Sequence, residues 1–83
     1  MKIQSKPKPV KAYLERDEQG VLVAWWDDPR GKIPSSRYPV FDWIFSNIVE
    51  KFRYEGMQVI VNWLGQEKVL EPTNTPSFVY RSA

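Results

Sequence analysis

Trp25 and Trp26 stand side by side at the end of the apolar run Val21-Leu22-Val23-Ala24, and consecutive side chains on a strand point to opposite faces of a sheet. A sheet that contains this pair must therefore place one indole on each face. One ring goes into the core. The other is either covered by a second layer or left outside as a contact point, and Trp and Arg are the residue types that most often anchor interfaces.

The rest of the pattern supports a sheet. From Val10 to Arg16 the chain alternates, with Val10, Ala12 and Leu14 on one side and Lys11, Tyr13 and Glu15 on the other, as a half-buried strand does. Asp17-Glu18-Gln19-Gly20 is a turn, and Val21 to Trp26 returns as the second strand of a hairpin. Asp28-Pro29-Arg30-Gly31 has the composition of a type I turn. Pro34 cannot donate to a ladder, so Lys32 to Tyr38 reads mostly as loop. Pro39 is expected to open an amphipathic helix with Phe41, Ile44, Phe45, Ile48, Val49 and Phe52 on its core face. Gly56 ends it. Trp43, Asn47, Glu50 and Tyr54 fall on the opposite, solvent side. Met57 to Leu64 alternates again, Gly65-Gln66 is expected to form a two-residue hairpin loop, and Glu67 to Leu70 returns. After Pro72-Thr-Asn-Thr-Pro76, Ser77 to Tyr80 is read as a short edge strand or a docked tail.

The fold class is therefore α+β: a small single domain in ββαββ order, with one amphipathic helix packed on a mainly antiparallel sheet. Residues 1–9, with Lys6-Pro7-Lys8-Pro9, read as a flexible basic arm and 10–83 as the domain. With no Cys available for disulfides or thiolate metal ligands, the twelve aromatic residues, four each of Trp, Tyr and Phe, must supply the rigid apolar area that so small a core needs.

The same composition restricts the chemistry. The chain has neither His nor Cys, so it lacks the usual base at neutral pH, the usual metal nitrogen ligand and the thiolate nucleophile. Asp27 and Asp28, with Glu15 and Asp17 across the hairpin, read as acids of solvated turns, and no metal or cofactor is expected. Each of the four glycines already sits at a turn or helix end, so none belongs to a phosphate-cradling loop. The one catalytic arrangement on offer is a histidine-free nuclease built on Arg30, Lys32, Arg37 and Tyr38, and basic residues in a loop are more commonly a solvated connection. The expectation is that the protein is not an enzyme.

Two binding surfaces remain. The first is aromatic: Trp43 and Tyr54 on the outer side of the helix and the outward member of the Trp25/Trp26 pair, with Arg30 and Arg37 at the rim and a sheet edge nearby. It fits a small regulator, inhibitor or accessory subunit that binds another protein or a second copy of itself as a homodimer. The alternative is cationic. Lys2, Lys6, Lys8 and Lys11 precede the first acid at Glu15, and with Arg30, Lys32 and Arg37 they could contact nucleic acid, although a net charge of +2 is small for that purpose. The first ten residues lack the apolar stretch of a signal peptide and no run is long enough to span a membrane, so the expected location is cytoplasmic.

Overall fold

A computed structural model describes residues 8–80 of the chain. Two strands, β1 (Val10–Arg16) and β2 (Leu22–Asp27), form the first hairpin, followed by a two-residue strand β3 (Tyr38–Pro39), the helix α1 (Asp42–Tyr54), and the second hairpin, β4 (Val59–Trp63) and β5 (Gln66–Leu70). The five strands make one sheet in the order β3-β2-β1-β4-β5. All pairings are antiparallel except β1 with β4. The parallel pair follows from the path: β3 runs opposite to β2, and the helix then carries the chain over β2 and β1 to set β4 down beside β1, which becomes the central strand.

Three local expectations are corrected. Tyr38 and Pro39 belong to β3, not to loop and helix, and pair with Ala24 and Val23 on the outer side of β2, a place proline tolerates because it needs no ladder donor there. The helix starts later, at Asp42, with Phe41 in extended backbone at the N-cap (φ −77°, ψ 146°). Phe41 therefore leaves the core stripe. The second hairpin turns at Leu64-Gly65, where both φ values are positive (50° and 92°), as in a type I′ loop, rather than at Gly65-Gln66. The Leu64 N–H donates to the Leu14 carbonyl at 2.9 Å and Asn62 Oδ1 accepts the Gly65 N–H at 3.0 Å, which helps hold a non-glycine residue in that conformation.

The helix covers one face of the sheet, and the core lies between them. Val10, Ala12, Leu14, Ala24, Trp26, Val59 and Val61 come from the strands; Phe45, Val49 and Phe52 come from the helix. The register places Ala12 opposite Trp26, so a methyl group leaves room for the indole. Trp26 then packs against Phe45 and Phe52 with ring centres 5.0 and 5.7 Å apart, in the tilted geometry aromatic pairs prefer. Gly56 ends the helix as expected, at φ +89°. Its N–H bonds the Arg53 carbonyl and that of Met57 bonds the Phe52 carbonyl, while Met57 and Phe52 are both buried; this is a Schellman motif with its apolar contact.

Candidate protein-binding surfaces

The tryptophan pair divides as strand alternation requires. Trp26 is fully buried, and its Nε1–H donates to the Tyr38 hydroxyl at 2.7 Å. Trp25 lies on the helix-free face, stacked on its cross-strand neighbour Tyr13 at 3.8 Å between centres and 4° between planes. Its Nε1–H donates to Glu15 Oε1 at 2.8 Å, and the Arg37 guanidinium sits 5.0 Å from its ring centre. Trp25 is thus engaged by three neighbours of its own chain and does not stand free as an anchor.

Of the two cations assigned to the rim, Arg30 is tied to its own chain, whereas the Arg37 side chain is 62% exposed. Arg30 reaches Glu55 Oε1 at 3.1 Å and Asp28 Oδ1 at 3.5 Å, with its guanidinium 5.3 Å from the Phe52 ring centre. Arg37 lies 4.0 Å from Glu15 Oε2. Arg30 and Arg37 belong to opposite faces of the sheet, and the Tyr38 hydroxyl is committed to Trp26, so Arg37 and Tyr38 do not converge on a common point. Lys8, Lys11 and Lys32 are exposed, whereas Lys2 and Lys6 lie outside the described residues.

The carboxylates near the turns are spent on backbone. Asp17 Oδ1 accepts the N–H groups of Gln19 and Val21, both at 2.9 Å. Asp28 accepts those of Arg30 at 2.9 Å and Lys32 at 3.0 Å. Burial of the Asp28 carboxyl works against its charge, but these two N–H groups and the Arg30 guanidinium outweigh it and hold the group below the usual carboxylate range.

On the helix, Trp43 is half-buried and Tyr54 exposed at the other end. They do not form one patch, because the stretch between them is taken by the chain itself. Residues 71–80 run back along the helix: Arg53 Nε donates to the Glu71 carbonyl, the Thr73 N–H to the Arg53 carbonyl, the Ser77 N–H to Glu50 Oε1, and Asn47 bonds Val79 at both its N–H and its carbonyl. Glu50 is the buried acid of this contact and also accepts from Arg53 at 2.8 Å. Asn47 and Glu50 therefore face the docked tail, not solvent. Of the two readings of Ser77 to Tyr80, the docked tail is the one found, but backbone partners leave no mark on residue type, so the sequence did not say that it docks on Asn47 and Glu50.

The residue missed by sequence reasoning is Phe41. It is 67% exposed and stacks on Trp43 with ring centres 6.4 Å apart and planes within 17°. Beside it opens an apolar cleft of about 630 Å³, walled by Leu22, Pro39, Val40 and Ile44, with Val21 exposed at its margin. Pro39 was the available signal: a proline held in an edge strand delays the helix and puts Phe41 at the cap, where a side chain need not turn inward.

Among the described residues no group of three or more acidic side chains is placed to hold a metal ion, and no helix is long and apolar enough to cross a membrane. Comparison of the chain with protein-family models, with curated proteins and with solved structures finds no match to any of them.

Proposed function

We propose that this protein is a non-enzymatic interaction module, a small cytoplasmic regulator, inhibitor or accessory subunit that docks another protein at the aromatic cleft where β3 meets the start of the helix. The observation that carries the reading is the Phe41–Trp43 stack: a large ring two-thirds in solvent, supported by a second ring and set at the rim of an apolar cleft. Rigid aromatic side chains beside a pocket are the form that interface anchors take, since little rotamer entropy is lost when they are covered. Trp25 and Arg30 are held by neighbours in their own chain, and neither they nor Arg37 line this cleft.

The test is substitution at the rim. Phe41→Ser removes an exposed ring and leaves the melting temperature within a few degrees, since surface changes usually cost less than about 0.5 kcal/mol. Trp43→Ala removes its support. Each variant is expected to weaken binding of a captured partner by at least about 1 kcal/mol, roughly fivefold. Sedimentation of the free protein over a range of concentrations separates a partner of another kind from a second copy. Unchanged binding by the folded Phe41→Ser protein contradicts the assignment.

A further inference from the structure

At the other edge of the sheet, β5 pairs with β4 and, among the described residues, with nothing else. In a two-residue hairpin the closing pair, here Trp63 with Gln66, is the hydrogen-bonded one, so the main-chain groups of Glu67 and Val69 turn outward from the ladder. Val69 is half in solvent. An outward row of N–H and C=O groups is a template for another strand.

Beside this edge, on the helix side, lies a groove of about 490 Å³ with Phe45, Val49, Val61, Trp63 and Leu70 on its floor and walls and Lys68 at its rim. An exposed edge next to a helix-walled groove has the two parts that strand addition uses: main-chain bonds for affinity and pockets for alternate side chains for selection.

The charges on β5 decide which strand fits. Antiparallel pairing of two copies about a two-fold axis keeps the sheet faces matched only if the axis passes through a residue. Centred on Glu67 it opposes Glu67 to itself; centred on Lys68 it opposes Lys68 to itself; centred on Val69 it sets Glu67 against Glu71 twice. Every register that overlaps the two strands by three residues or more thus opposes like charges, which is destabilising, whereas centring on Gln66 or Leu70 overlaps them by a single residue. None of the ion pairs among the described residues involves Glu67 or Lys68. We propose that β5 and its groove accept an extended strand of a different protein, with a basic residue opposite Glu67, an acidic residue opposite Lys68, and apolar residues two positions before and after that acid, on the same face of the strand, entering the groove. This site lies at the far edge from the Phe41–Trp43 cleft and stands or falls separately from it.

The test uses the full chain and two nine-residue peptides, one with Ile-Val-Glu-Lys-Val at its centre and the other with the Glu and Lys exchanged. The first peptide is expected to bind about tenfold more tightly, two cross-strand charge pairs changing sign between them, and to slow amide exchange at Glu67 and Val69. The double variant Glu67→Lys with Lys68→Glu reverses the preference. Val69→Pro, which removes an outward donor without touching the β4 ladder, abolishes binding while Phe41→Ser leaves it unchanged. Equal binding of the two peptides, no binding of either, or peptide binding that survives Val69→Pro overturns the proposal. So does protection of the Glu67 and Val69 amides without peptide, whether it grows with protein concentration, as pairing of copies requires, or is present in the dilute monomer, as coverage by the chain's own termini requires.

Discussion

Asn47 holds Val79 by both ends of its side-chain amide: Oδ1 accepts the Val79 N–H at 2.8 Å and Nδ2 donates to the Val79 carbonyl at 2.7 Å. One side chain thus treats a stretch of tail as a neighbouring strand would, although the tail belongs to no sheet. Asn47→Leu should free this end of the tail while leaving the core intact. Amide exchange at Val79 is expected to rise at least about tenfold, since two bonds worth about 1 kcal/mol each are lost, with little change at Leu14 or Val59.

Glu50 anchors the middle of the same segment and is a buried acid of the helix. Its carboxylate is satisfied by Arg53 and by the Ser77 N–H. Glu50→Ala leaves Arg53 half-buried without its acid and the Ser77 N–H without its acceptor, so urea unfolding should show a loss of about 2 kcal/mol. Glu50→Gln, which keeps an oxygen for Ser77, should cost less.

Tyr38 joins the smallest strand to the core through the Trp26 indole. Tyr38→Phe keeps the ring and removes the acceptor, leaving a buried N–H unsatisfied, and is expected to cost about 1–2 kcal/mol. A change confined to a few tenths would mean that water replaces the hydroxyl.

The Asp28 turn gives the protein an acid-sensitive element. Its carboxyl titrates below the ordinary value of 3.8 when folded, so the stabilisation is complete above that value and is lost as pH falls through the folded one. Thermal melts of the wild type should therefore fall below about pH 4. Asp28→Asn should lower the melting temperature at pH 7 and flatten that acid limb. An unchanged acid limb would place the sensitivity elsewhere.

Gly56 tests the helix end. A Cβ there would meet nothing within 4 Å, so only the backbone at φ +89° resists a side chain. Gly56→Ala should destabilise by about 1 kcal/mol, and Gly56→Asn by less.

β1 and β4 were legible because their apolar residues alternate, and β2 and β5 because each returns from a turn: β1 is found at its expected bounds, and β2, β4 and β5 within a residue or two. The division of Trp25 and Trp26 between faces follows from the same period of two. What the pattern did not carry is non-local. No local signal says that β4 runs parallel to β1, because that depends on where the helix crosses. Phe41 has the spacing of a core residue on a wheel that begins at Pro39, and only the capture of Pro39 by β2 moves it outside. The tail docks through backbone groups that any residue offers, so Asn47 and Glu50 looked like solvated positions of an amphipathic helix. The candidate site was half visible: Trp43 was marked by its place away from the core stripe, whereas its partner ring was hidden by being assigned to the core.

The measurement that bears most directly on the central claim is affinity capture from native lysate with tagged wild type and tagged Phe41→Ser in parallel, each split and one half treated with nuclease before washing at physiological salt. The account predicts a stoichiometric protein retained by wild type with or without nuclease and depleted at least about fivefold by Phe41→Ser. Capture that disappears with the nucleic acid, or a partner held equally by both proteins, would contradict it.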